Sequence, residues 1–89
     1  MTTMFLRHTV SNYAAWRQAY DAFAPVQKTK GVLAQAVYRA ADNASDTTVT
    51  HEFASLEAAK AFADSKELKE AMAGAGVLGA PNIWFASKA

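Results

Sequence analysis

Gly31-Val32-Leu33-Ala34-Gln35-Ala36-Val37-Tyr38-Arg39, then Asp42-Asn43-Ala44-Ser45-Asp46, then Thr47-Thr48-Val49-Thr50-His51-Glu52-Phe53: this central stretch of an 89-residue chain decides its fold. Val32 to Arg39 is long and apolar enough for a strand, and Asp42 to Asp46 carries strong turn chemistry. Thr47 to Phe53, where β-branched residues dominate, reads as the return strand. The centre of the chain is therefore an antiparallel hairpin, and what flanks it settles the class.

On the N-terminal side, Met4-Phe5-Leu6-Arg7-His8-Thr9-Val10 is rich in strand formers and stops at Ser11-Asn12, two residues suited to capping a helix. Tyr13, Trp16, Tyr20 and Phe23 then recur at spacings of three, four and three, which lines four aromatic rings along one side of that helix. Pro25 argues against a straight continuation but leaves room for one more turn before Gly31. On the C-terminal side, Ser55 caps a helix beginning at Leu56, and Ser65 is a second capping point where the helix breaks and restarts with Leu68 and Met72 on its inner face. Gly74 and Gly76 end it. The segment Gly74 to Pro81 lacks the strand-then-helix setting and the Lys of a phosphate loop, so it reads as a connector before a short final strand, Asn82 to Ala86.

The order is βαββαβ in a single domain covering residues 1–89. Two split βαβ units of this kind build a ferredoxin-like α+β layer: an antiparallel sheet ordered 4-1-3-2 with both helices on one face. The other face then needs a cover. Strand two carries Val32, Ala34, Ala36 and Tyr38 on one side and Leu33 and Val37 on the other, and Phe5 with either Trp84 or Phe85 adds to the uncovered side. A second copy of the sheet across a twofold axis is the simplest cover, so the expected state is a homodimer, a dimeric α/β barrel.

Composition narrows the function classes. Hydrophobic residues are 52% and charged residues 19%, ordinary for a globular domain. The net charge is +1 with the nine Lys and Arg scattered, so nucleic acid is not an expected partner. No long apolar run or signal-like N-terminus stands out, and the expectation is a cytoplasmic protein without membrane association. The absence of cysteine removes disulfides, thiolate metal sites and thiol nucleophiles together.

Three stretches carry a resemblance: His8 to Arg17, the strand Val37-Tyr38-Arg39-Ala40 before an Asp-Asn turn, and Ser65-Lys66-Glu67-Leu68 through Ala75-Gly76-Val77. Together they resemble the antibiotic-biosynthesis-monooxygenase group of dimeric α/β-barrel proteins over nearly the whole chain. The resemblance implies a pocket between sheet and helices in each subunit, where an aromatic substrate is oxidised by dioxygen without metal or flavin. For such a pocket this chain offers Tyr13, Trp16, Tyr20 and Tyr38 as candidate substrate-binding walls, without a one-to-one match to the family's catalytic set. Haem-degrading relatives depend on an axial His in the second helical region, and no His lies between Leu56 and Gly76.

His8 and His51 fall on strands that this topology makes neighbours. Pairing His8 opposite His51 would put both on one face and set Arg7 opposite Glu52 as a cross-strand ion pair on the other. With His8 on the helix side beneath the aromatic stripe, either imidazole is a candidate general base toward a phenol or enol. The plainer reading is that both are buried, hydrogen-bonded structural histidines. Two His without an HExxH spacing or a third ligand make no metal site, and neither a metal nor another cofactor is expected. The leading expectation is thus a cofactor-independent monooxygenase acting on a small aromatic or polycyclic phenol. Beside it stand a non-catalytic dimer that binds a small hydrophobic ligand or serves as an accessory protein, and an isomerase or cyclase.

Overall fold

A computed structural model describes all 89 residues. Strand β1 runs Thr2–Val10, followed by helices α1 (Tyr13–Ala22) and α2 (Ala24–Thr29), strands β2 (Ala34–Ala40) and β3 (Asn43–Phe53), helices α3 (Leu56–Ala63) and α4 (Lys66–Gly74), and strand β4 (Val77–Ser87). Each helical region of the sequence reading is split in two, at the expected places. Asn12 Oδ1 accepts from the Ala15 amide to start α1, Pro25 sits in the first turn of α2, and Ser55 and Ser65 accept from the Ala58 and Leu68 amides to start α3 and α4.

The sheet order is β2-β3-β1-β4, the expected 4-1-3-2 order read from the opposite edge, with every neighbour antiparallel. Even-numbered β1 residues and odd-numbered β3 residues are buried toward the helices. Two clusters fill that layer. Met4, Leu6 and Phe53 pack with Ala59, Phe62 and Leu68 under α3 and α4, while Val10 and Val49 pack with Trp16 and Tyr20 under α1. No helix is long and apolar enough to cross a membrane.

Several sequence expectations need correction. The polar stretch Asn43 to Asp46 is strand, not turn: the chain reverses at Ala41-Asp42, Asn43 Oδ1 accepts from the Ser45 amide, and Asp46 pairs with Thr9 of β1. Because β3 starts earlier, it slides four residues along β1 from the expected register. His8 lies opposite Thr47 and Met4 opposite His51, whereas Arg7 faces Thr48 and Glu52 faces Thr3. This register sets Leu6 against Val49 in the core. Arg7 makes its ion pair with Asp46, through contacts of 2.9 and 2.5 Å, rather than with Glu52. An even slip preserves parity, so His8 and His51 still share the helix side.

Strand β4 runs from Val77 through Pro81 to Ser87, so Gly74 to Pro81 is only briefly a connector. An edge strand tolerates proline because its outer side needs no ladder donor. The extra residues are taken up by an irregularity between Arg7 and Thr9 of the partner strand, where Gly79 adopts φ +71°. Val32 and Leu33 precede β2, and Val32 packs into the core, so they add nothing to the open sheet face. That face carries Tyr38 at 59% exposure and Phe5 stacked on Trp84 with centroids 5.3 Å apart. Phe85 points to the core instead.

Candidate functional site

Burial of the even face of β1 and the odd face of β3 places His8 and His51 on the floor of the helix layer, 6% and 2% exposed. Four residues of strand separate their positions, roughly 13 Å, with Leu6 and Val49 between them. The two imidazoles therefore sit at opposite ends of one trough. The α1 stripe roofs it: Trp16 meets His8 edge-on at 5.6 Å and stacks on Tyr20 at 5.0 Å, and Tyr20 reaches the His51 ring at 6.3 Å. Helix α4 closes the other side with Leu68, Ala71 and Met72. Among them lies a partly open cavity of about 40 Å³, mostly apolar, with both histidines in its wall.

The polar atoms of this trough are unusual for a core. Both ring nitrogens of His8, Nδ1 of His51 and the hydroxyl of Thr47 are buried without a hydrogen-bond partner. Buried polar groups are ordinarily paired, and each one left unpaired costs about 1–3 kcal/mol. Burial pushes both histidines below the ordinary imidazole range, His51 down to about 4. His51 is thus neutral at pH 7 and a weak base. His8, less deeply desolvated, is the better base of the two. Burial likewise raises the Tyr20 phenol, whose hydroxyl donates to Gln35 Oε1.

Of the residues expected from sequence, His8, His51, Trp16 and Tyr20 meet around the cavity. Tyr13 stands at its margin, 5.7 Å from Trp16 and capped by the Arg39 guanidinium at 3.9 Å. Tyr38 does not join them: β2 parity turns it to the opposite face of the sheet, so it cannot wall this pocket. Gln27 was not anticipated. It is 4% exposed, lines the cavity and lies 3.4 Å from His51 through Nε2. Its signal was available, since Tyr13, Trp16, Tyr20, Phe23 and Gln27 continue the same three-four spacing past Pro25. No three His, Asp or Glu side chains converge as a metal site would require.

Fold and site together define a ferredoxin-like α+β domain with a small cavity between its sheet and its helices. Residues 4–74 match the family model described as antibiotic biosynthesis monooxygenase, and the chain belongs to that family. Solved structures agree on the fold. A Bordetella bronchiseptica protein bearing the family's designation superposes with a TM-score of 0.86 at 13% identity, covering 99% of this chain and 96% of that one. A Caulobacter crescentus protein of the same designation gives 0.78 at 20% identity, over 99% and 89%. SnoaB, a cofactor-independent oxygenase from Streptomyces nogalater, gives 0.76 at 18% identity, over 98% and 91%. No curated protein matches the sequence.

Proposed function

We propose that the chain is a cofactor-independent monooxygenase that oxidises a small aromatic or polycyclic phenol with dioxygen, using His8 as general base in the cavity beneath α1. The observation that carries this reading is His8 itself, a buried imidazole with neither nitrogen satisfied, set in the wall of an apolar cavity. Such a group is matched by an acidic hydroxyl: the phenol gives its proton to His8, and the imidazolium and phenolate then neutralise each other in a dry site. The electron-rich anion supplies the electrons to dioxygen. At an activated methylene carbon, both hydrogens leave, one oxygen atom becomes a carbonyl, and the second oxygen atom departs with the hydrogens as water.

At about 40 Å³ the cavity holds a water rather than a ring, since an apolar cavity that takes up benzene is on the order of 150 Å³. Substrate entry therefore requires α4 to move away from α1, or Trp16 and Tyr20 to turn. Oxygen uptake with a dihydroxynaphthalene or anthrone is the direct test. The expected result is turnover by the wild type and a fall of about 10²- to 10⁴-fold in His8→Ala, the range of general-base catalysis. Equal rates would remove His8 from the reaction.

The working unit in this proposal is a homodimer. Phe5, Trp84 and Tyr38 leave an aromatic surface on the sheet face that the four helices do not cover, and a second sheet packed on it supports burial of all three. The small cavity also favours a second reading, a non-catalytic dimer that binds a small hydrophobic ligand. Saturable ligand binding with no oxygen uptake would select it.

A further inference from the structure

Gln27 is the polar side chain of α2 that turns inward, and it forms a wall shared by the cavity and by a separate groove at the β2 edge. Its Nε2 lies 3.4 Å from His51 Nε2. With the amide nitrogen facing the ring, His51 Nε2 is the acceptor of this contact and the ring proton sits on Nδ1. Nδ1 is itself buried and meets no acceptor on the protein. Around the imidazole stand the rings of Phe62 at 5.2 Å and Tyr20 at 6.3 Å. A buried N–H held in a cavity wall without an acceptor asks for one from a ligand.

We infer that Gln27 is a positioning residue: it holds the His51 proton on Nδ1, so that this imidazole is a fixed hydrogen-bond donor in the cavity wall and takes an acceptor oxygen of the ligand. The inference rests on reading the cavity as a ligand site and divides the labour of its two ends. His8 meets an acidic hydroxyl, whereas His51, roughly 13 Å along the strands, meets a different oxygen, such as a ketone. When the hydroxyl ionises, negative charge spreads through the conjugated ring to that far oxygen. A donor already in place there stabilises the anion without reorganisation.

Long-range proton–nitrogen correlation spectra of the imidazoles test this in the free protein. The expected result is the Nδ1–H tautomer for His51 in the wild type. In Gln27→Leu that preference is lost. In Gln27→Glu, whose carboxylate only accepts, the proton moves to Nε2. A wild-type Nε2–H tautomer overturns the inference even if neither variant folds, and so does an unchanged tautomer in a folded Gln27→Glu. Tetralone, a ketone with no acidic hydroxyl, is the ligand probe: it should shift the His51 Nδ1–H resonance in the wild type, and no shift at saturating probe overturns the donor role. Neither readout depends on oxygen uptake, so failure of the monooxygenase reading and failure of this inference are distinguishable.

Discussion

Phe62→Ala lowers the free energy of unfolding by about 3–5 kcal/mol, the range for removing a large aromatic side chain from a packed core. Phe62 is 1% exposed and is the side chain through which α3 grips the sheet. Its ring meets Phe53 at 5.5 Å, Phe23 at 6.3 Å and His51 at 5.2 Å, so it joins the α1–α2 junction, β3 and α3 at one point. Truncation leaves a void beside a buried imidazole. Because a domain of this size has only about 5–15 kcal/mol in hand, much of the protein's stability goes with one ring. Urea denaturation checks it: the midpoint falls with little change in slope. Leu56→Ala, at a 40% exposed position of the same helix, should stay within about 1 kcal/mol. A loss below about 1 kcal/mol for Phe62→Ala would contradict the packing described.

The second large effect is acid sensitivity well above the carboxylate range. Burial holds His51 neutral in the folded chain and moves it from the ordinary 6.5 to about 4, and His8 moves in the same direction. In the unfolded chain both titrate near 6.5, so between about pH 6.5 and 4 the unfolded state binds more protons and folding weakens as pH falls. The His51 contribution is fully present above pH 6.5 and amounts to about 3 kcal/mol lost by pH 4. Asp46 and Glu67, whose carboxyls are held below their ordinary range by hydrogen bonds from Arg7 and Lys30, also lose stabilisation toward acid, but at lower pH. Denaturant midpoints between pH 7 and 4 therefore fall steadily in the wild type. In His51→Leu the slope over that window is much shallower. Equal slopes would place the acid sensitivity elsewhere.

Much of this architecture is legible in local chemistry. Asn12, Ser55 and Ser65 announce their helices because a cap is a contact within three residues. The three-four spacing of Tyr13, Trp16 and Tyr20 announces the buried face of α1 because helical geometry is equally local. What sequence reasoning misplaced depends on distant partners. Asn43 to Asp46 has turn chemistry, yet Asn43 pairs with Ala40 of β2 and Asp46 pairs with Thr9 of β1 and makes an ion pair with Arg7, 39 residues away. That extension sets the register, which is why His8 faces Thr47 and not His51. Pro81 marks an edge strand as readily as a strand boundary, and only the sheet order tells the two apart.

Of the candidate site, the expected pairing of His8 with His51 put both on one face, and that placement survives because the true register differs from it by four residues, an even number. Parity also separates Tyr38 from the others once β2 is placed beside β3. The distance between the histidines and the size of the cavity depend on register and on how α4 packs against α1, neither of which local sequence specifies. The same packing gives the family's fold a tight interior here, with two polar ends and an apolar middle.

The claim that the buried trough around His8 is a ligand site is tested most directly by titrating the protein with naphthol and following the His8 imidazole nitrogens and the Trp16 indole by NMR. Saturable shifts of both, with the His8 response absent in His8→Ala and the Trp84 indole unmoved, are the expected result. Shifts confined to Trp84 and Tyr38 on the open sheet face, or no shift at His8 when naphthol is bound, would contradict it.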